Sequence, residues 1–160
     1  MNELDLRNLM YTGYAAFNGP FVIRYPRGKG EMKDWRNEMQ VLPIGKGKKL
    51  RDGDDIAVLS IGPIGNEVIK AIEMVKEEGV SIAHYDMIYL KPLDEELLHE
   101  IGRKYNRIIT VENGVIKGGF GSAVLEFMAD NGYTPHVKRI GVPDAFIEHG
   151  SIPELYQLCG

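Results

Sequence analysis

Short apolar runs alternate with amphipathic stretches over residues 56–160, and this alternation is the most regular signal in the chain. Val- and Ile-rich runs at 56–61, 80–85, 107–111 and 136–140 predict buried strands. Between the first two, Ile64, Val68, Ala71, Ile72 and Val75 fall on one helical face, with Lys70, Glu73, Lys76 and Glu77 elsewhere. Leu97, Leu98, Ile101 and Tyr105 repeat the pattern after the acidic start Asp94-Glu95-Glu96. A third helix follows Gly121, with Val124, Leu125 and Met128 inward, and a short last helix runs from a Ser151 N-cap to Leu158. Strands separated by helices imply βαβ crossovers, so residues 41–160 are expected to form a three-layer α/β domain with a mostly parallel sheet.

Upstream the pattern changes. Leu6, Leu9, Met10, Tyr14 and Phe17 lie near helical spacing, Asn18-Gly19-Pro20 stops that helix, and Phe21-Val22-Ile23 predicts a short buried strand. The run at 24–40 is dense in charge and broken by Pro26, Gly28 and Gly30, the composition of a linker. One helix and one strand cannot fold alone, so a domain boundary is placed near residue 40. Asp52-Gly53 sits between two apolar runs and predicts a hairpin, in which the arm at 41–50 pairs antiparallel with the strand at 56–61.

Composition narrows the function classes. In 160 residues, 44% hydrophobic and 26% charged is an ordinary globular balance, which excludes disordered and collagenous classes. A net charge of -4, with acids and bases intermixed, gives no general attraction to nucleic acid or an anionic membrane. Lys46, Lys48, Lys49 and Arg51 are followed at once by Asp52, Asp54 and Asp55 and read as a solvated face. Cys159 is the single cysteine, too few for an internal disulfide or a CxxC site, and is assigned no role. Glu3 and Asp5 stand where a signal peptide would be basic, and no eighteen-residue apolar stretch occurs, so a cytoplasmic location is expected.

Three places hold candidate chemistry. Residues 112–122, from Glu112 through Gly118, Gly119 and Gly121, run from a strand end into a helix, where anions can bind. Neither G-x-G-x-x-G nor a phosphate-binding G-x-x-x-x-G-K-[ST] is present, and the structural reading of those glycines is a tight turn packed closely against another surface. Glu112 is then either a buried acid at a domain contact or a strand-end carboxylate. His84, His99, His136 and His149 have no metal-ligand spacing; His149 differs in lying in the loop before the last helix, which could meet a partner. The serines form no nucleophile elbow. Lastly, Arg24-Tyr25-Pro26-Arg27-Gly28 sets two guanidiniums around a rigid proline at a strand end. They suit either a phosphate or the linker acids Glu31 and Asp34.

The residues also carry a resemblance. Leu6 to Thr12, G-P-F-V-I-R-Y-P-R-G at 19–28, I-G-K-G at 44–47, L-K-P-L-D at 90–94, V-E-N at 111–113, G-G-F-G-S at 118–122, and G-V-P-D-A-F-I at 141–147 occur in one order. With F-I-E-H-G-S and the closing E-L-Y-x-L-x-G, the chain resembles the C-terminal part of 1-deoxy-D-xylulose-5-phosphate synthases, transketolase-like thiamine-diphosphate enzymes. The resemblance implies an enzyme that condenses pyruvate with D-glyceraldehyde 3-phosphate with loss of CO2, for isoprenoid, thiamine and pyridoxal precursor synthesis. It implies thiamine diphosphate and Mg2+ held by two upstream domains, a homodimer in full length, and a transketolase C-terminal-like domain at 41–160 with one antiparallel edge strand. Residues 1–40 then become the remnant of the pyrimidine-binding domain plus linker. No Gly-Asp-Gly occurs in the chain, so no cofactor, metal or catalytic residue is expected here and the fragment alone is expected to be inactive. Arg27 takes the place of the arginine that holds the substrate phosphate, with Tyr25 beside it and Arg24 as a structural or supporting charge. Glu112, Gly118, Gly119, Gly121 and His149 are expected at interfaces with the missing domains. Two alternatives stay open, the C-terminal part of a 2-oxo acid dehydrogenase E1 β subunit and a free-standing α/β binding module.

Overall fold

The computed structural model describes residues 2–26, 30, 32, 34 and 36–160. Helix α1 (Glu3–Ala15) comes first, opened by Asn2, whose side chain accepts the Asp5 N–H at 2.9 Å. The remainder runs β1 (Lys48–Arg51), β2 (Ile56–Ile61), α2 (Gly65–Met74), β3 (Ile82–Asp86), α3 (Glu95–Lys104), β4 (Arg107–Val115), α4 (Phe120–Asp130), β5 (His136–Val142) and α5 (Ile152–Leu158). The five strands lie in the order β1-β3-β2-β4-β5; β3, β2, β4 and β5 are mutually parallel and β1 is antiparallel to β3.

Side-chain alternation along the strands divides the core into two layers. Ala57, Leu59, Ala83, Tyr85 and Ile108 face α3 and α4 through Leu98, Ile101, Phe120, Val124 and Met128. Val58 and Val111 face α2 through Val68 and Ile72. The three-layer α/β domain with one antiparallel edge strand therefore forms as the strand and helix periods require. Leu125 differs from the expectation: it is partly exposed, while Val124 and Met128 fill the core. Among the described residues no helix is long and apolar enough to cross a membrane.

The expected hairpin is not formed. β1 pairs with β3 and not with β2. The physical reason lies in burial and in Gly53. Residues 57–60 of β2 are all buried, so this strand takes the centre of the sheet with a parallel neighbour on each side, while β1, mostly exposed, suits an edge. The Asp-Gly segment then crosses the start of β3. Tyr105 Oη and Lys104 Nζ donate to the Gly53 carbonyl at 2.6 and 3.0 Å, and Asp55 N–H donates to Ser81 O at 2.8 Å.

Two upstream expectations also change. α1 turns Asn8 and Thr12 inward and leaves Met10 and Tyr14 exposed, opposite to its apolar pattern. The surface it covers is backbone: Gln40 N–H donates to Asn8 Oδ1 at 3.1 Å and Leu42 N–H to Thr12 Oγ1 at 2.8 Å, and those donors need acceptors. Phe21-Val22-Ile23 forms no strand, and Val22 is 93% exposed. No strand among the described residues pairs with it, so its position is held by side chains. The Phe21 ring meets Phe17 and Tyr89 edge-on, with centroids 5.5 and 6.4 Å away.

Candidate functional site at the sheet switch point

From β2 the chain crosses through α2 to β3 on one side, whereas β4 and β5 extend the sheet on the other. The order reverses between β2 and β4, and ligands of open α/β sheets bind outside the carboxyl ends of strands at such a point. Ile61 and Glu112 are register partners at the carboxyl end of this pair. The segment after α1 lies across the same edge, with Phe21 against Tyr89 beyond β3 and Arg24 against Asn113 near the end of β4.

Glu112 is only 7% exposed and its carboxylate turns into its own chain. It accepts the N–H of Phe120 at 2.9 Å and of Gly121 at 2.8 Å, the free donors of the first turn of α4. A carboxylate at a helix N-terminus meets both the orphan amides and the positive end of the dipole. The donors that an external anion would need are thus already used. Glycine is required for this approach: a Cβ on Gly119 would sit 2.2 Å from the Val115 carbonyl and 2.4 Å from Glu112 Oε2. Gly118 has φ +71, the left-handed region, and its N–H donates to Ser122 Oγ at 3.0 Å. Arg139 closes the turn from β5, donating from Nη1 to Ile116 O and to Ser122 Oγ, each at 2.8 Å.

On the outer side, Arg24 Nη1 donates to Asn113 Oδ1 at 3.0 Å and Nη2 to Asn113 O at 2.7 Å. Gly114 makes room: a Cβ there would meet Glu112 Oε2 at 2.8 Å and Arg24 Nη1 at 3.5 Å. The structure therefore brings Arg24, Asn113, Gly114 and Glu112 together. Tyr25 is 68% exposed beside them, His149 is exposed in the loop before α5, and Arg27 lies outside the described residues. Sequence reasoning gave Asn113 and Arg139 no role. Asn113 had a signal, since it follows Glu112 in V-E-N, but only the fold shows that a guanidinium 89 positions upstream reaches it.

A second polar group is buried within the sheet. Ser60 Oγ lies 2.8 Å from His84 Nε2, and burial pushes the His84 pKa down to about 4. Ser60 is fully buried, so the pair is a neutral core hydrogen bond with no access for a substrate. Burial also raises the pKa of Asp86, two residues further along β3. Among the described residues no three His, Cys, Asp or Glu side chains converge as metal ligands.

A family model described as the C-terminal domain of transketolase matches residues 45–160. The chain belongs to the transketolase C-terminal domain family. All 160 residues align at 98% identity with a 1-deoxy-D-xylulose-5-phosphate synthase of Parabacteroides distasonis and cover 25% of that relative. A protein of the same name from Bacteroides thetaiotaomicron is 62% identical, again over the whole chain and 25% of the relative. Thus the chain spans about a quarter of the length of the curated relatives it matches. Among solved structures, a split-gene transketolase described as an inactive beta4 tetramer matches 76% of this chain and 39% of its own, with a TM-score of 0.68 and 34% identity. Both synthases have this transketolase C-terminal domain together with about three times as much further chain.

Proposed function

We propose that this transketolase C-terminal domain, with the segment at 1–40 before it, is the C-terminal part of a 1-deoxy-D-xylulose-5-phosphate synthase. The observation that carries this reading is 98% identity across the whole chain to a relative of that name. The full-length enzyme would condense pyruvate with D-glyceraldehyde 3-phosphate and release CO2, acting as a soluble homodimer. Thiamine diphosphate, which supplies the carbanion chemistry when bound, would sit with Mg2+ in the remaining three quarters of the polypeptide. Residues 1–40 would complete the pyrimidine-binding domain.

Within that enzyme this chain would contribute substrate phosphate binding through Arg27. Its place in the R-Y-P-R-G motif supports that role, as does the path of residues 21–26 over the switch-point edge of the sheet. Glu112 and the glycine turn would give a rigid floor to the interdomain surface, and His149 would approach a neighbouring domain from the loop before α5. The inactivity of the solved split-gene neighbour as a beta4 tetramer supports an inactive fragment.

Two experiments test the reading. Calorimetric titration of the 160-residue chain with thiamine diphosphate and Mg2+ is expected to show no saturable heat, and pyruvate with glyceraldehyde 3-phosphate is expected not to turn over. Tight cofactor binding would overturn the division of labour. In the full-length enzyme, Arg27→Ala should raise KM for the phosphorylated aldehyde far more than KM for pyruvate; equal rises would remove its assigned role.

A further inference from the structure

The geometry points to Arg24 as a positioning residue that fastens the R-Y-P-R-G segment to the end of β4 through Asn113, and not as a second phosphate ligand. This inference rests on the synthase reading above. Three observations carry it. First, the guanidinium is engaged on its fork side, with Nη1 on Asn113 Oδ1 at 3.0 Å and Nη2 on Asn113 O at 2.7 Å. A planar fork held at two points fixes direction as well as distance, which a point charge cannot do. Second, the acceptor residue is itself rigid. Asn113 directly follows Glu112, whose carboxylate is tied to two amides of α4, and the strand beyond is tied to β5 where Val115 pairs with Val142. Third, residues 21–26 belong to no helix or strand, and among the described residues the Arg24 fork and the Phe21–Tyr89 ring contact attach this segment to the sheet domain.

Arg24 and Asn113 are 89 positions apart, and the fork joins the segment before the linker to the domain after it. Holding Arg24 at the switch-point edge fixes where the R-Y-P-R-G motif starts on that edge. Arg24 contributes alignment of the segment, and Arg27 contributes the charge that faces the phosphate.

Steady-state kinetics of the full-length enzyme separate these roles. Arg24→Ala should raise KM for glyceraldehyde 3-phosphate about tenfold and Asn113→Ala about threefold, since the backbone acceptor survives the second change; both factors are below the worth of one full charge-assisted bond, as a loss of alignment without loss of a phosphate ligand requires. The pyruvate KM and kcat should stay within about twofold of the parent, and kcat/KM for unphosphorylated glyceraldehyde should be unchanged. The double variant should be no worse than Arg24→Ala alone, because both changes break one contact. Arg24→Lys, which keeps the charge and loses the fork, should behave like Arg24→Ala, and Asn113→Asp, which keeps the acceptor, should restore a near-parental KM.

A direct phosphate ligand would leave Arg24→Lys largely active and Asn113→Ala silent, and either result overturns the inference, as does a double variant whose KM rises by the product of two non-zero single effects. A general structural role would lower kcat and disturb both KM values together, which also overturns it. Should Arg24→Ala not fold, Arg24→Lys and the two Asn113 variants carry the test. The synthase reading fails separately, if Arg27→Ala leaves the aldehyde KM unchanged; the fork is then judged by the Arg24 and Asn113 double-mutant cycle in thermal unfolding, where additivity would reject it.

Discussion

Glu112 at the end of β4 accepts the Phe120 N–H at 2.9 Å, so that the last buried carboxylate of a central strand caps the helix that follows it. α4 has no side-chain cap of its own at Gly119. Glu112→Gln keeps one acceptor but turns an NH2 group toward a second amide, and should cost about 1–2 kcal/mol; Glu112→Ala leaves both donors buried and should cost about 2–4 kcal/mol. Urea midpoints of the chain measure both, and equal midpoints for parent and Glu112→Ala would show that the cap contributes nothing.

Gly53 and Gly79 offer a matched contrast. A Cβ on Gly53 would lie 2.2 Å from the backbone of Ile82 and Ala83, while Gly79 has open space and only its left-handed φ of +75 to satisfy. Gly53→Ala is expected to destabilise by about 3 kcal/mol or more because backbone must move, and Gly79→Ala by about 1 kcal/mol. Denaturation curves that rank the two in reverse would reject the account of why β1 leaves β2.

Asp94 joins two elements. Its carboxylate accepts the Leu97 N–H at 3.1 Å as the cap of α3 and the Gly47 N–H at 2.9 Å from the strap before β1. Asp94→Ala should cost about 2–3 kcal/mol, more than a simple cap, whereas Asp94→Asn should retain part of it. Hydrogen exchange at Gly47 should quicken in Asp94→Ala and stay slow in a parent control; unchanged exchange would separate the strap from the cap.

His84 predicts an acid sensitivity. Its folded pKa of about 4 lies below the ordinary 6.5, so between these values the unfolded chain takes up a proton that the folded chain does not. Stability should therefore be complete above about pH 6.5 and fall toward pH 4, by on the order of 3 kcal/mol from this group. Asp86, whose pKa burial raises, works in the opposite direction, favouring the folded state as pH falls toward the ordinary carboxylate range. The difference between parent and His84→Asn in urea midpoints at pH 7 and pH 5 isolates the histidine; a difference independent of pH would rule out its titration as the cause.

Most of the domain was legible because the signals were local. Val68 and Ile72, Leu98 and Ile101, and Val124 and Met128 lie at helical spacings, and the strand at 56–61 is a nearly continuous apolar run. The hairpin and the early strand depart from expectation for one reason. Asp52-Gly53 and Phe21-Val22-Ile23 are each compatible with a strand partner, and the identity of that partner is decided elsewhere in the chain. α1 shows a related departure: its apolar residues mark a face, yet the surface available beside it is the amide backbone of residues 40–42, which selects Asn8 and Thr12.

The candidate site divides along the same line. Motif order pointed to R-Y-P-R-G and to the turn from Glu112 to Ser122, because glycines, a proline and charged groups in fixed order constrain local backbone and chemistry. Which groups face each other was decided by tertiary structure. Glu112 turns inward because α4 presents two unpaired amides at its own strand end, and Arg24 finds Asn113 because the sheet order brings the end of β4 to the edge that residues 21–26 cross. Amino-acid order alone determined the periods, the caps and the family; strand neighbours, and the contact spanning 89 positions, depended on burial of β2 at the centre of the sheet, a property of the folded whole.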